Sequence, residues 1–228
     1  PSGGIATAHA DSFGGAMRET KRIFLEFFKK KYIWIYFAFI LFYRFAEGLV
    51  IKIVPLFLNA PLDQQGMGLT EQQIGLYYGT FGVIAFVVGS ILGGYFISWL
   101  KLRRALFPLV CIFNVPFVVY ALLAFFQPSS MWLVGGGIVV EYFGYGFGFT
   151  AYMLYMMYFS EGEFKTSHYA ICTAFMALSM MIPGMFAGYL QEAVGYVNFF
   201  WIVILCCAAT IVVTVFADRK IDPTYGKK

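Results

Sequence analysis

The sequence predicts an all-α membrane protein, a bundle of six transmembrane helices. Three observations carry that prediction. Hydrophobic residues make up 61% of the 228 residues and charged residues only 12%; a soluble domain carries about 25% charge. A chain with a mean hydropathy of +0.75 cannot clothe its surface in polar groups, so its solvent is lipid. Six apolar stretches are each long enough to cross a bilayer, which takes roughly 20 residues in a helix. Finally, lysine and arginine are distributed as membrane orientation requires.

The six stretches lie at 32–58, 72–100, 105–126, 131–158, 168–190 and 197–217. The links between them carry turn residues: Pro61, Gly66 and Gly68; Pro128 and Ser129; Gly195. In lipid a span must satisfy its own backbone hydrogen bonds, which a helix does and an open sheet does not. These spans are too long for barrel strands. Residues 1–31 differ. Arg18, Lys21, Arg22, Lys29, Lys30 and Lys31 alternate with Met17, Ile23, Phe24, Phe27 and Phe28. That pattern predicts a short amphipathic helix lying on the membrane surface within a cytoplasmic linker. It directly abuts a full-length span, unlike a signal peptide. Residues 218–228 form a cytoplasmic tail.

With the N-terminus in the cytoplasm, an even number of spans returns the C-terminus to the same side. The cytoplasmic segments then hold 14 of the 16 Lys and Arg residues, and the opposite loops (59–71, 127–130, 191–196) hold none. The net charge of +4 therefore reflects orientation and does not point to nucleic acid. The four cysteines, Cys111, Cys172, Cys206 and Cys207, fall inside apolar runs, where they pack rather than pair.

Four ionisable side chains lie within the predicted spans: Arg44, Glu47, Lys52 and Glu141. Each costs at least about 2.5 kcal/mol near the bilayer centre unless paired or wet. Arg44 and Glu47 are neighbours on one helix face, either a self-neutralising structural pair or part of a solute or proton pathway. Lys52 is placed to snorkel. Glu141 has no basic neighbour on its helix and heads a stripe of Glu141, Tyr145, Gly148, Tyr152 and Tyr155. The stripe lines a water-filled cavity or forms a tyrosine-rich packing face. Gly75, Gly79, Gly82, Gly89 and Gly93 mark a close-packing face of the second span. Gly184 and Gly188 follow Pro183 in the fifth, where the proline predicts a kink. Spans one and four hold the buried acids and spans two and five the glycines, the correspondence that a three-plus-three inverted repeat produces.

The link after span two reads Gly94-x-x-x-Ser98-Trp99-x-Lys101-x-Arg103-Arg104. It resembles the loop signature of the major facilitator superfamily, with Ser98 where the family has an acid and Lys101 where it has a glycine. Tyr43-Arg44-Phe45-Ala46-Glu47, the run Glu141 to Tyr152, Thr166 to Ala170, and Pro183 to Tyr189 together resemble the C-terminal half of AmpG-type muropeptide permeases. Related acetyl-CoA transporters share much of the pattern. Where members carry an arginine in the eleventh span, this chain reads Ser179-Met180-Met181.

The resemblance implies the C-terminal half of a secondary transporter of the bacterial inner membrane, partnered by an N-terminal six-helix half. It implies a small polar solute such as an anhydromuropeptide, moved by alternating access on a proton gradient, with no other cofactor and no metal. Arg44, Glu47, Glu141, Tyr145 and Tyr152 would form the proton and solute pathway, and Gly94, Ser98, Arg103 and Arg104 the cytoplasmic gate. Acetyl-CoA is the alternative solute. Two other classes stand beside this one. A membrane enzyme would use His168 with Glu161, Glu163 and Lys165, but no second histidine lies near (His9 is in the linker) and no nucleophile motif is present. A six-span scaffold or sensor would move nothing.

Overall fold

The computed structural model describes residues 13–222 and Tyr225. The predicted contributions of residues 1–12, His9 among them, and of Lys227 and Lys228 lie outside the described residues. Among the described residues every extended element is helical: α1 (Phe13–Phe28), α2 (Ile33–Tyr43), α3 (Phe45–Asn59), α4 (Glu71–Leu76), α5 (Val83–Leu100), α6 (Leu102–Phe126), α7 (Met131–Ser160) and α8 (Lys165–Asp218). Three helical segments among the described residues are long and apolar enough to cross a membrane: Glu71–Leu100, Leu102–Phe126 and Lys165–Asp218.

Local chemistry sets the boundaries. Thr70 opens α4 with a capping box: its hydroxyl accepts from the Gln73 N–H, and the Gln73 side chain accepts from the Thr70 N–H. A π-helical turn, Tyr77–Gly82, joins α4 to α5 without a break. Pro183 sits within helical backbone in α8. The non-helical residue is Gly195, with φ 76° and ψ 169°, a region essentially closed to residues bearing a Cβ. Gly195 thus divides α8 into two arms. α2 and α3 are separated by Arg44 alone, at φ −103° and ψ 9°.

α7 is the central element. It packs on α5 and α6 along its length and touches α2 and α8. Its contact with α5 is backbone to backbone: a Cβ on Gly89 or Gly93 would strike the carbonyls of Phe143 or Phe147, and one on Gly146 would strike that of Phe86. Small residues permit this approach. Only part of the predicted glycine face is used this way, because Gly75 and Gly79 look onto open space. All four cysteines are free.

α1 docks against the turn between α7 and α8. Phe27 is fully buried against Phe159, His168 and Phe175. The Lys30 ammonium donates to the carbonyls of Phe159 (2.5 Å) and Glu161 (3.0 Å) at the end of α7, a favourable place for a cation. Burial there holds Lys30 below the ordinary lysine value. Arg22 meets Glu163 at 3.3 Å.

The link between α5 and α6 turns on Lys101, at φ 68° and ψ 155°. This is glycine backbone carrying a lysine, at the position where the resembling loop signature has its second glycine. Such a conformation costs a side-chain-bearing residue about 1–3 kcal/mol, offset in part by the greater unfolded-state freedom of glycine. Lys101→Gly is therefore expected to raise the detergent-solubilised melting temperature by about 2–4 °C. An unchanged or lower melting temperature would show that Lys101 carries no such strain.

Candidate functional site

Arg44 occupies the single-residue break between α2 and α3, and its guanidinium turns back onto the first turn of α3. Nε to Glu47 Oε2 and Nη2 to Glu47 Oε1 are both 2.6 Å, a two-pronged pair with the two residues only 6% and 5% exposed. Placing Glu47 in the first turn also sets its carboxylate near the unpaired N–H groups of that helix end. From α7, the Tyr145 hydroxyl accepts a short hydrogen bond from Arg44 Nη2. The rings of Tyr145 and Phe149 lie 5.5 and 5.0 Å from the guanidinium carbon. Neighbouring helices donate to carbonyls of α2 beside the break. The Tyr152 hydroxyl donates to the Ile40 carbonyl at 2.8 Å, and the Thr210 hydroxyl to that of Phe42 at 2.7 Å.

Glu141 lies one turn before Tyr145 on α7. Its partner is not a cation: the Tyr120 hydroxyl of α6 donates to Glu141 Oε2. The Tyr78 hydroxyl stands 3.2 Å from that of Tyr120, and Tyr78 is carried by the π-helical turn. Turns of this kind recur at functional sites because they re-aim a side chain within a continuous helix. Glu47, Glu141, Tyr78, Tyr142 and Tyr145 present polar tips into one recess of about 90 Å³ whose walls include Val54 and Phe113. That is room for a few waters. The recess holds two carboxylates, of which one is already neutralised by an arginine and the other is held by phenols, Tyr120 and Tyr78, with no cation.

The structure therefore brings together Arg44, Glu47, Glu141 and Tyr145 from the residues singled out in the sequence. It does not place Tyr152 with them. Tyr152 is fully buried, stacked on Tyr43 at 4.5 Å, and Tyr155 is buried against Phe39 at 4.2 Å. The stripe is thus a recess wall at Glu141 and Tyr145 and a packing face from Gly148 onward. The reason is that α2 covers the later residues, whereas α3 leaves a gap over the earlier ones. Lys52 is exposed. Ser98, Arg103 and Arg104 are exposed, Gly94 has open space before it, and none of the four reaches the recess. Tyr78 and Tyr120 were not foreseen, since no local pattern joins Glu141 to a residue on another helix.

The cluster around His168 has a different use. His168 is buried, its Nε2 lies 3.3 Å from the Ile23 carbonyl, and Glu163 is taken up by Arg22. These groups hold α1. Among the described residues no group of three or more His, Cys, Asp or Glu side chains is arranged to hold a metal.

No known family profile matches the chain. It is similar to the anhydromuropeptide permease of Escherichia coli K12, at 24% identity over 209 residues, 87% of this chain and 41% of the permease. A Haemophilus influenzae protein whose name states no function is 26% identical over 77% of this chain and 42% of its own length. A candidate transporter called AmpG 1 from Rickettsia felis is 23% identical over 74% of this chain and 37% of its own. The resemblance to AmpG-type permeases drawn from the motifs is borne out, and the chain spans about two-fifths of the length of the curated relatives it matches. Relatives named as permeases and helices apolar enough to cross a bilayer mark an integral membrane protein.

Removing Glu47 while Arg44 stays would leave a buried cation without its counter-ion, at a cost of about 3–5 kcal/mol. Glu47→Gln is expected to lower the melting temperature clearly, and the double variant Arg44→Gln/Glu47→Gln to recover most of the loss. Equal melting of Glu47→Gln and the unmodified protein would contradict the buried pair.

Proposed function

We propose that this chain is the six-span half of a secondary transporter of the major facilitator type, working with an N-terminal six-helix half. α2 with α3, and α4 through α5, each form one span. α6 and α7 form one apiece, and the arms of α8 on either side of Gly195 form the fifth and sixth. Both termini face the cytoplasm and the membrane is the bacterial inner membrane. The asymmetry of lysine and arginine supports this orientation, and α1 then lies along the cytoplasmic surface.

One observation carries the reading: in a chain similar to permeases, acids from two helices, Glu47 of α3 and Glu141 of α7, line one recess within apolar surroundings, and Arg44 pairs with Glu47 behind its wall. Intramembrane ionisable groups of this kind mark solute and ion paths. A recess of about 90 Å³ is far smaller than a sugar–peptide conjugate, which supports a site completed by the second half. Arg44 is the group to meet a carboxylate of the solute, by exchanging Glu47 for it. Glu141, which has no cation to neutralise it, is the group to carry the coupling proton, and Tyr120 positions its carboxyl. An anhydromuropeptide, which offers both sugar hydroxyls and carboxylates, fits these groups.

The test is uptake of labelled anhydromuropeptide into proteoliposomes holding this chain together with its N-terminal half. Uptake is expected to require an inward proton gradient, to resist competition by acetyl-CoA, and to fall at least about tenfold in Glu141→Gln. Undiminished gradient-driven uptake by Glu141→Gln would remove its coupling role. Absence of uptake by folded protein would remove the solute assignment.

A further inference from the structure

We infer that the cleft between the start of α6 and the end of α8 binds the headgroup of an anionic phospholipid. Arg103, Arg104 and Phe107 of α6 face Val215, Asp218 and Arg219 of α8 across an open cleft of about 480 Å³. Three guanidinium groups meet one carboxylate there, so the cleft carries a net positive charge. Arg103, Arg104 and Arg219 are all exposed, and none lies within salt-bridge distance of an acid among the described residues. The first turn of α6 adds backbone N–H groups that no side chain of Lys101 caps.

Two features point to a lipid and not to a small free anion. The basic residues sit at the helix ends, where the apolar stretches stop, and Phe107 and Val215 lie on the same faces, one turn toward the apolar interior. A phosphate held by the arginines would therefore place its acyl chains over Phe107 and Val215, and beyond them along the exposed Val212 and Phe216. Basic clefts between helices at a membrane surface recognise anionic headgroups in this way. Asp218 is the opposing element. Its Oδ1 is buried and has no hydrogen-bond partner, and it subtracts from the charge available to a phosphate. The inference needs only that the chain sits in a bilayer, and it stands whether or not the transport reading does.

Native mass spectrometry of the purified protein tests it, with phosphatidylglycerol as the probe and phosphatidylcholine and inorganic phosphate as comparisons. Phosphatidylglycerol is expected to be retained at least about tenfold more than phosphatidylcholine, and R103Q/R104Q/R219Q to abolish that preference. Asp218→Asn is expected to strengthen retention by about fivefold, a gain that misfolding cannot imitate. Equal retention of phosphatidylcholine would overturn the inference, as would undiminished preference in the triple variant. Displacement of the lipid by inorganic phosphate at matched concentration would reassign the cleft to a small anion. Loss of binding when the N-terminal half is present would assign the arginines to acids on that half.

Discussion

A buried guanidinium cannot stand alone in apolar surroundings, and much of this structure follows from how Arg44 is neutralised. The residue is expensive wherever it lies in a span. Its cost is met locally, by Glu47 three residues on, and across the helix contact by the Tyr145 hydroxyl and two aromatic faces. The backbone leaves helical geometry at Arg44, and α2 and α3 meet at that residue. Beside the break, Tyr152 of α7 and Thr210 of α8 donate to the Ile40 and Phe42 carbonyls of α2. One ion pair thus ties four helices together at a single level.

The recess is what this arrangement leaves over. Below the break, α2 lies close on α7 and the aromatic rings of Tyr43, Tyr152, Phe39 and Tyr155 fill the contact. Above it, α3 diverges enough to leave a small polar-tipped space in which Glu141 is held by Tyr120 and not by a cation. A carboxyl held by a hydroxyl can gain or lose a proton without stranding a buried positive charge. The pair at Arg44 and Glu47 has the opposite character: its charges are matched, and only an incoming anion has reason to separate them. In the transport reading proposed above, the two acids of the recess take different tasks, one with the solute and one with the proton.

Much of this was legible in the sequence. The apolar runs located the helices, since length and hydropathy are properties of the local chain, and Gly195 stood out as a turn residue. The pairing of Arg44 with Glu47 followed from their spacing. What was not legible depended on contacts between distant segments. Nothing local marks the break at Arg44, because neither proline nor glycine is there. The π-helical turn at Tyr77–Gly82 has no local signature either. The stripe from Glu141 to Tyr155 proved a cavity wall at Glu141 and Tyr145 and a packing face from Gly148 onward, because the neighbour of that face changes from α3 to α2 along its length.

The solute path proposed above requires a recess that is wet in the folded membrane protein. The direct measurement is labelling by a membrane-impermeant maleimide in a cysteine-free background, with single cysteines at Ile51, which lines the recess, and at Val88, on an exposed apolar face away from it. Reaction at position 51, slowed by anhydromuropeptide, with none at position 88, is the predicted result. Equal labelling of the two positions, or none at position 51 in folded protein, would contradict it.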